Sequence, residues 1–154
     1  MILLNGVSGF NSPDDKLVDG NQFKSLCFTT VLSLGGSLLS FKEPEGAQNY
    51  YQTDITILGD NIFILLNGKY PFIAFASSVL PGDITFIDHH QLSFGFKHHY
   101  RILSANELNE ALRIRQEKGK IVIDKENELN AAELVNIKYW KPKRVGDIVF
   151  NHWD

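Results

Sequence analysis

Two adjacent histidine pairs, His89-His90 and His98-His99, are the residues whose type first suggests chemistry, as ligands for a transition metal. Read as "ITFI-DHHQ-LSFGFKHHYRIL", the segment 84–103 predicts a hairpin with one pair at each end of its second arm. Eight intervals at about 3.4 Å then separate His90 from His98 by about 27 Å, far beyond the reach of one ion with bonds near 2 Å. Neighbouring histidines in a strand also face opposite sides of the sheet, and Asp88 adds only one carboxylate. The expectation is polar residues in a turn and at a strand end, with no metal.

Nucleophilic chemistry finds little support. Cys27 lies in "SLCFTT" among apolar residues, where a thiol behaves as a small inert hydrophobe. The chain has no Gly-x-Ser-x-Gly elbow and no His-Glu-x-x-His, and "LGGSLLS" lacks the lysine and spacing of a phosphate loop. The carboxylate pairs Asp14-Asp15 and Glu43/Glu45 fall in turn-like segments and read as solvated acids. "KYWKPKR" interleaves Lys138, Lys141, Lys143 and Arg144 with Tyr139 and Trp140, a pattern able to grip single-stranded nucleic acid. The rival is a solvated loop whose two aromatics pack inward. No cofactor is expected.

The elements that would position these groups read as follows. Residues 22–34 favour a helix on Phe23, Leu26, Cys27, Thr30 and Leu34, closed by Gly35-Gly36. "DITIL-GD-NIFILL-NG-KYPFIAFA" predicts three strands joined by two tight turns at Gly59-Asp60 and Asn67-Gly68, with Pro71 marking an edge or a bulge. "PGD" at 81–83 predicts another turn. In the second arm of the 84–103 hairpin Leu92, Phe94, Phe96, His98, Tyr100 and Ile102 share one face. Ser104 with Glu107 forms a capping box opening a helix over "ANELNEALRIRQEK", ended near Gly119. "KIVID" is a short strand. Asn130 with Glu133 opens a second capped helix, "AAELVNIKY", stopped by Pro142. The tail "VGDIVFNHW" is a terminal strand or a short helix docked through Phe150 and Trp153.

Together these give an α+β fold. One domain spans 1–154: a mainly antiparallel meander of about five strands, with two or three helices packed on one side. The 154 residues are 44% hydrophobic, enough for one core, and the net charge of −3 has the wrong sign for a general nucleic-acid binder. Residues 1–105 carry 6 basic and 9 acidic residues, and residues 106–154 carry 9 of each. A single cysteine allows no internal disulfide, no run approaches the roughly 18 apolar residues of a membrane span, and "MILLNGVSGF" lacks a basic leader. A cytoplasmic location, without a membrane or nucleic-acid partner, is the expectation.

"YWKPKRVGDIVFNHWD", residues 139–154, resembles the C-terminal segment of small bacterial immunity proteins, the antidotes of polymorphic or contact-dependent inhibition toxins. The resemblance covers about a tenth of the chain. It implies a non-catalytic protein that binds a cognate toxin domain, often a nuclease, and blocks its active site or substrate path, with the motif as scaffold. A basic nuclease would suit acidic contacts, and the candidates are Asp14, Asp15, Glu43, Glu45, Asp60, Asp83 and Asp88, with Tyr50 and Tyr51 as aromatic anchors. For Tyr50 and Tyr51 the alternative is the start of a strand with one ring buried. The competing functions are a small metal-dependent hydrolase or nuclease using the histidine-rich hairpin, and a nucleic-acid module using "KYWKPKR".

Overall fold

The structure is a computed structural model and describes residues 1–15 and 17–153. Helix α1 (Gly20–Ser33) is followed by strands β1 (Ser37–Lys42), β2 (Tyr50–Ile57), β3 (Asp60–Asn67), β4 (Phe72–Leu80) and β5 (Asp83–Ile87), which pair antiparallel in that order. The expected meander is therefore present. Helix α2 (His90–Phe96) leads to β6 (Arg101–Ile102), which joins the sheet parallel to the start of β4. Helix α3 (Ala105–Asn109), a separate hairpin of β7 (Ile114–Glu117) and β8 (Lys120–Ile123), α4 (Ala131–Trp140) and α5 (Gly146–Val149) complete the chain.

Helices cover both faces of the sheet, not one. Alternation in the strands sends Ile55, Ile57, Ile62, Ile64, Leu66, Ile73 and Phe75 against α1 and α2, where Phe23, Cys27, Leu92 and Phe96 meet them. The complementary set, including Tyr50, Leu65, Ala74, Ala76 and Phe86, meets Leu3, Val7, Leu108, Ile137, Ile148 and Phe150 on the other face. A sheet buried on both sides needs apolar residues at nearly every central position. β4 begins with five consecutive buried residues for this reason.

Local signals held where they were self-contained. Asp19 caps α1 by accepting from Asn21 N and Gln22 N, and Gly35 takes the left-handed φ of 77° just past the helix end. Both capping boxes form as read. Lys141 adopts a left-handed φ of 52° at the end of α4, with Pro142 next.

Several expectations are corrected. Strand β1 went unread, because "SLLSFK" has no clean alternation: it is an exposed edge strand with a register shift between Leu38 and Ser40. The β2–β3 turn falls at Leu58-Gly59, both with positive φ, so Asp60 begins β3. Asn67-Gly68 is not a two-residue turn. Residues 68–71, with Pro71 among them, form a wider connection. The second arm of the 84–103 hairpin is mostly α2. The His89 imidazole accepts from Leu92 N, and Leu92 and Phe96 are buried one turn apart while Phe94 lies outside. The 27 Å separation derived for a strand therefore does not hold: the histidine pairs bracket one short helix.

The helix expected over "ANELNEALRIRQEK" stops at Asn109. Beyond it the chain is captured by the segment before α5, with Leu112 N donating to Lys143 O and Val145 N donating to Glu110 O. Ile114 then pairs with Ile123 across a turn at Lys118-Gly119. Tertiary pairing overrides the helical propensity of this stretch.

Candidate partner-binding surfaces

The tail is a short helix, and its motif residues are packing devices. A Cβ on Gly146 would stand 2.4 Å from the Phe86 ring and 3.0 Å from Leu108 O, so only glycine lets α5 seat here. Asp147 accepts from Lys143 N and Arg144 N and pairs with the Arg144 guanidinium at 2.8 Å. Phe150 packs between Tyr50 (5.7 Å) and Phe86 (5.9 Å), and Trp153 stacks on Phe10 at 6.2 Å. The Asn151 amide donates to Ser8 O and Ile148 O, and Asn151 N donates to Asn49 Oδ1.

Asn49 and Asn67 complete this clasp. Each amide donates to both Val7 O and Val149 O, joining the N-terminal turn to the tail. Neither residue was singled out for this role by sequence. The only local signal was their polarity at the margins of apolar strands. A shallow hollow of about 530 Å³ lies beside the clasp, lined by Phe10, Glu45, Gln48, Lys69 and Trp153 among others.

The nine residues proposed as toxin contacts do not form one surface. Asp14 and Asp15 are exposed in the segment leading to α1, and Glu43 and Glu45 are exposed between β1 and β2. The last two line an 830 Å³ hollow shared with Lys24, Lys42 and His152, and the two lysines dilute the acidity. Tyr51 stands at the same end, half-buried on Phe23 and Phe41. Its hydroxyl pKa is raised, first by burial and then by the charges of Glu43 and Asp19. Tyr50 points to the opposite face and is buried against Phe150, so the structure removes it as a contact. Asp88 is exposed but its carboxylate accepts from Ala105 N at 2.9 Å. Asp60 and Asp83 flank the turns at the far end of the sheet, away from Glu43 and Glu45.

The largest exposed aromatic side chains occur elsewhere. In α4 the buried residues are Glu133 and Ile137, so positions 135 and 139, two residues further on, are rotated by about 200° and face out. Val135 is 68% exposed, Tyr139 76% and Trp140 38%. The inward packing expected for Tyr139 and Trp140 is thus overturned: the two rings meet edge to face at 5.1 Å on the surface. Lys138, Lys141 and Lys143 are exposed around them, and no ion pair to these lysines occurs among the described residues. Trp140, Lys141 and Lys143 also border a 360 Å³ hollow together with Asp147, His152 and Trp153. Phe28 and Leu32 are exposed on α1, and Phe94 is exposed on α2 with Lys97 over its ring.

For chemistry the arrangement offers little convergence. Among the described residues no three His, Cys, Asp or Glu side chains are placed to hold one metal ion. Nor is any helix among those residues long and apolar enough to cross a membrane. Cys27 is buried, its thiol donates to Thr53 Oγ1, and burial pushes its pKa up to about 12.

Tyr50 and Tyr100 are likewise pushed up to about 12 by burial, with the charges of Cys27 and Asp19 adding at Tyr100, whose hydroxyl has no hydrogen-bond partner. The unfolded chain ionises these groups from ordinary values of 9.0 and 10.0, while the folded chain holds them neutral. Stability is therefore expected in full below about pH 9 and lost as pH rises towards 12. Denaturant midpoints measured from pH 7 to 11 check this, and a flat profile above pH 9 would contradict it.

Comparison with family models, curated proteins and solved structures gives no match to this chain. The class the structure defines is a single-domain α+β protein with a five-stranded antiparallel meander, extended by one short parallel strand and sandwiched between helices.

Proposed function

We propose that this protein is an immunity protein that binds a cognate bacterial toxin domain and neutralises it by covering its active site or substrate path. The observation that carries the reading is the fate of the motif on which the resemblance rests. Gly146, Ile148, Phe150, Asn151 and Trp153 are buried or interlocked with the N-terminal turn, as scaffold residues must be. The same motif leaves Tyr139 and Trp140 outside, and aromatics of this kind anchor protein interfaces. Function then resides in a rigid outer surface held in place by the clasp.

The test is genetic and direct. The C-terminal domain of the protein encoded immediately upstream is expressed with and without this chain. Growth arrest by that domain alone, relieved by co-expression, is the expected result. Arrest that persists beside abundant folded protein would sink the reading. Affinity measured against salt then tests the electrostatic part, since contacts between opposite charges weaken as ionic strength rises.

A further inference from the structure

We propose that the C-terminal end of α4 and the turn after it grip single-stranded nucleic acid, with Tyr139 and Trp140 as stacking faces for bases and Lys138, Lys141 and Lys143 on the phosphates. This grip is a function separate from the immunity reading, and its test uses no toxin.

The sequence leaves two readings of "KYWKPKR": a nucleic-acid grip, or a solvated loop with its aromatics turned inward. The second requires Tyr139 and Trp140 to be buried, and they are 76% and 38% exposed. The surface they share is cationic. From Leu134 to Gly146 the chain carries four cations and no carboxylate. The three lysines are exposed, and none forms a salt bridge among the described residues. The next acid along the chain, Asp147, is already committed: its carboxylate accepts from Lys143 N and Arg144 N and pairs with the Arg144 guanidinium. The net charge of −3 belongs to the whole chain and does not cancel this patch, because exposed charges more than about 8 Å apart are largely screened at physiological salt.

The patch is held in shape by the fold. Lys141 ends α4 in a left-handed conformation with its N–H on Ile137 O, and Pro142 after it is buried. Lys143 O accepts from Leu112 N, and Val145 N donates to Glu110 O. The backbone that carries Lys141 and Lys143 is therefore fixed before any ligand arrives, which lowers the ordering cost of binding. Trp140, Lys141 and Lys143 line one 360 Å³ hollow, so a ring and two cations are offered in a single recess.

Three classes of anion suit three lysines. An acidic peptide matches the charge, but its carboxylates leave the two ring faces unused. An anionic bilayer matches the charge and accepts aromatic rings at its surface, but it meets only what projects and does not enter the recess beside Trp140. A single strand supplies both partners at once, a phosphate for each lysine and an unstacked base for each ring.

The full-length chain and a fluorescein-labelled oligo(dT) of about 20 nucleotides are the reagents, with binding read by fluorescence anisotropy. Binding is expected at about 50 mM salt and should weaken about 20-fold by about 200 mM, the dependence set by three phosphate contacts on a single strand. W140A and Y139A are each expected to weaken it about 10-fold or more. K141Q/K143Q is expected to cut the salt slope to about a third. A duplex of the same sequence length should compete poorly, since its bases already stack on one another. F94A, which removes an exposed ring on α2, is expected to bind as the parent does. Thermal melts keep the result interpretable, because substitutions this exposed leave stability nearly unchanged. No anisotropy change at about 100 µM protein and about 50 mM salt overturns the proposal and leaves the immunity reading untouched. Parent-level affinity in both aromatic variants, or equal competition by the duplex, also overturns it. Binding to phosphatidylserine vesicles that is lost in W140A, without oligonucleotide binding, would reassign the patch to a membrane surface.

Discussion

Glu133→Ala is expected to cost about 3–5 kcal/mol of folding stability, the largest effect of any single substitution considered for this chain. Glu133 is fully buried. Its Oε1 accepts from Gly6 N at 2.7 Å and Asn130 N at 3.1 Å, and its Oε2 accepts from Ser8 N at 2.9 Å and from the Ser8 hydroxyl. Truncation leaves Gly6 N and Ser8 N in the interior with nothing to donate to, at about 1–3 kcal/mol each when no water replaces the acceptor, and also frees the half-buried Asn130 N. It also frees the N-terminal turn, whose tight packing is shown by Gly6: at φ 80°, a Cβ there would stand 2.6 Å from Ser12 Cα. Urea unfolding checks this through a lowered midpoint at unchanged slope. Glu133→Gln should fall in between, since one amide oxygen survives while the amide nitrogen faces donors. A loss under about 1 kcal/mol in the alanine variant would mean that water takes the carboxylate's place.

Asn67→Ala is expected to cost about 2–4 kcal/mol. Asn67 is completely buried and every polar atom of its side chain is used. The amide donates to Val7 O at 2.9 Å and Val149 O at 2.8 Å, and Oδ1 accepts from Lys69 N and Tyr70 N, both at 2.9 Å. One residue thus shapes the β3–β4 connection and pins both chain ends to the sheet. Asn67→Asp separates these tasks. It keeps the acceptor for the connection but turns a carboxylate on two carbonyl oxygens, so it should be at least as damaging as alanine at neutral pH. Thermal unfolding of the two variants decides the matter. An aspartate variant near parental stability would show that the connection, not the clasp, is what Asn67 secures.

These two residues also mark how far the sequence could be read. Glu133 was legible as the fourth member of a capping box, and the box is there. Its second task, holding Gly6 and Ser8 from more than 120 residues away, had no local signature. Asn67 was read as half of a two-residue turn because Asn-Gly between apolar runs usually is one. Here a buried asparagine with distant carbonyl partners outweighed the turn preference. The histidine-rich arm failed for a related reason. "LSFGFKHHY" alternates like a strand, yet its second face contains Gly95, where a Cβ would meet Thr30 Oγ1 at 2.2 Å, and close seating of α2 on α1 decided the conformation. Of the nine proposed contacts, only exposure and charge were readable. Their dispersal over two ends of a sheet, and the burial of Tyr50, depended on topology.

By itself the sequence determined what neighbouring residues decide among themselves: the two capping boxes, the closing of α1 at Gly35, the alternating strands of the meander and the apolar anchors of the tail. Such interactions span two to four positions, and their free energies do not wait for the rest of the chain. The tertiary structure alone decided which face of α4 turns outward, that residues 110–123 leave the helix for a hairpin, and that three asparagines lock the tail to the N-terminal turn. The first and third outcomes hang on polar side chains finding partners 42 to 143 residues away, as Asn49 finds Val7 O and Asn151 finds Ser8 O, and the second on Leu112 N finding Lys143 O. An unmet hydrogen bond in the interior costs more than any local preference it overrules.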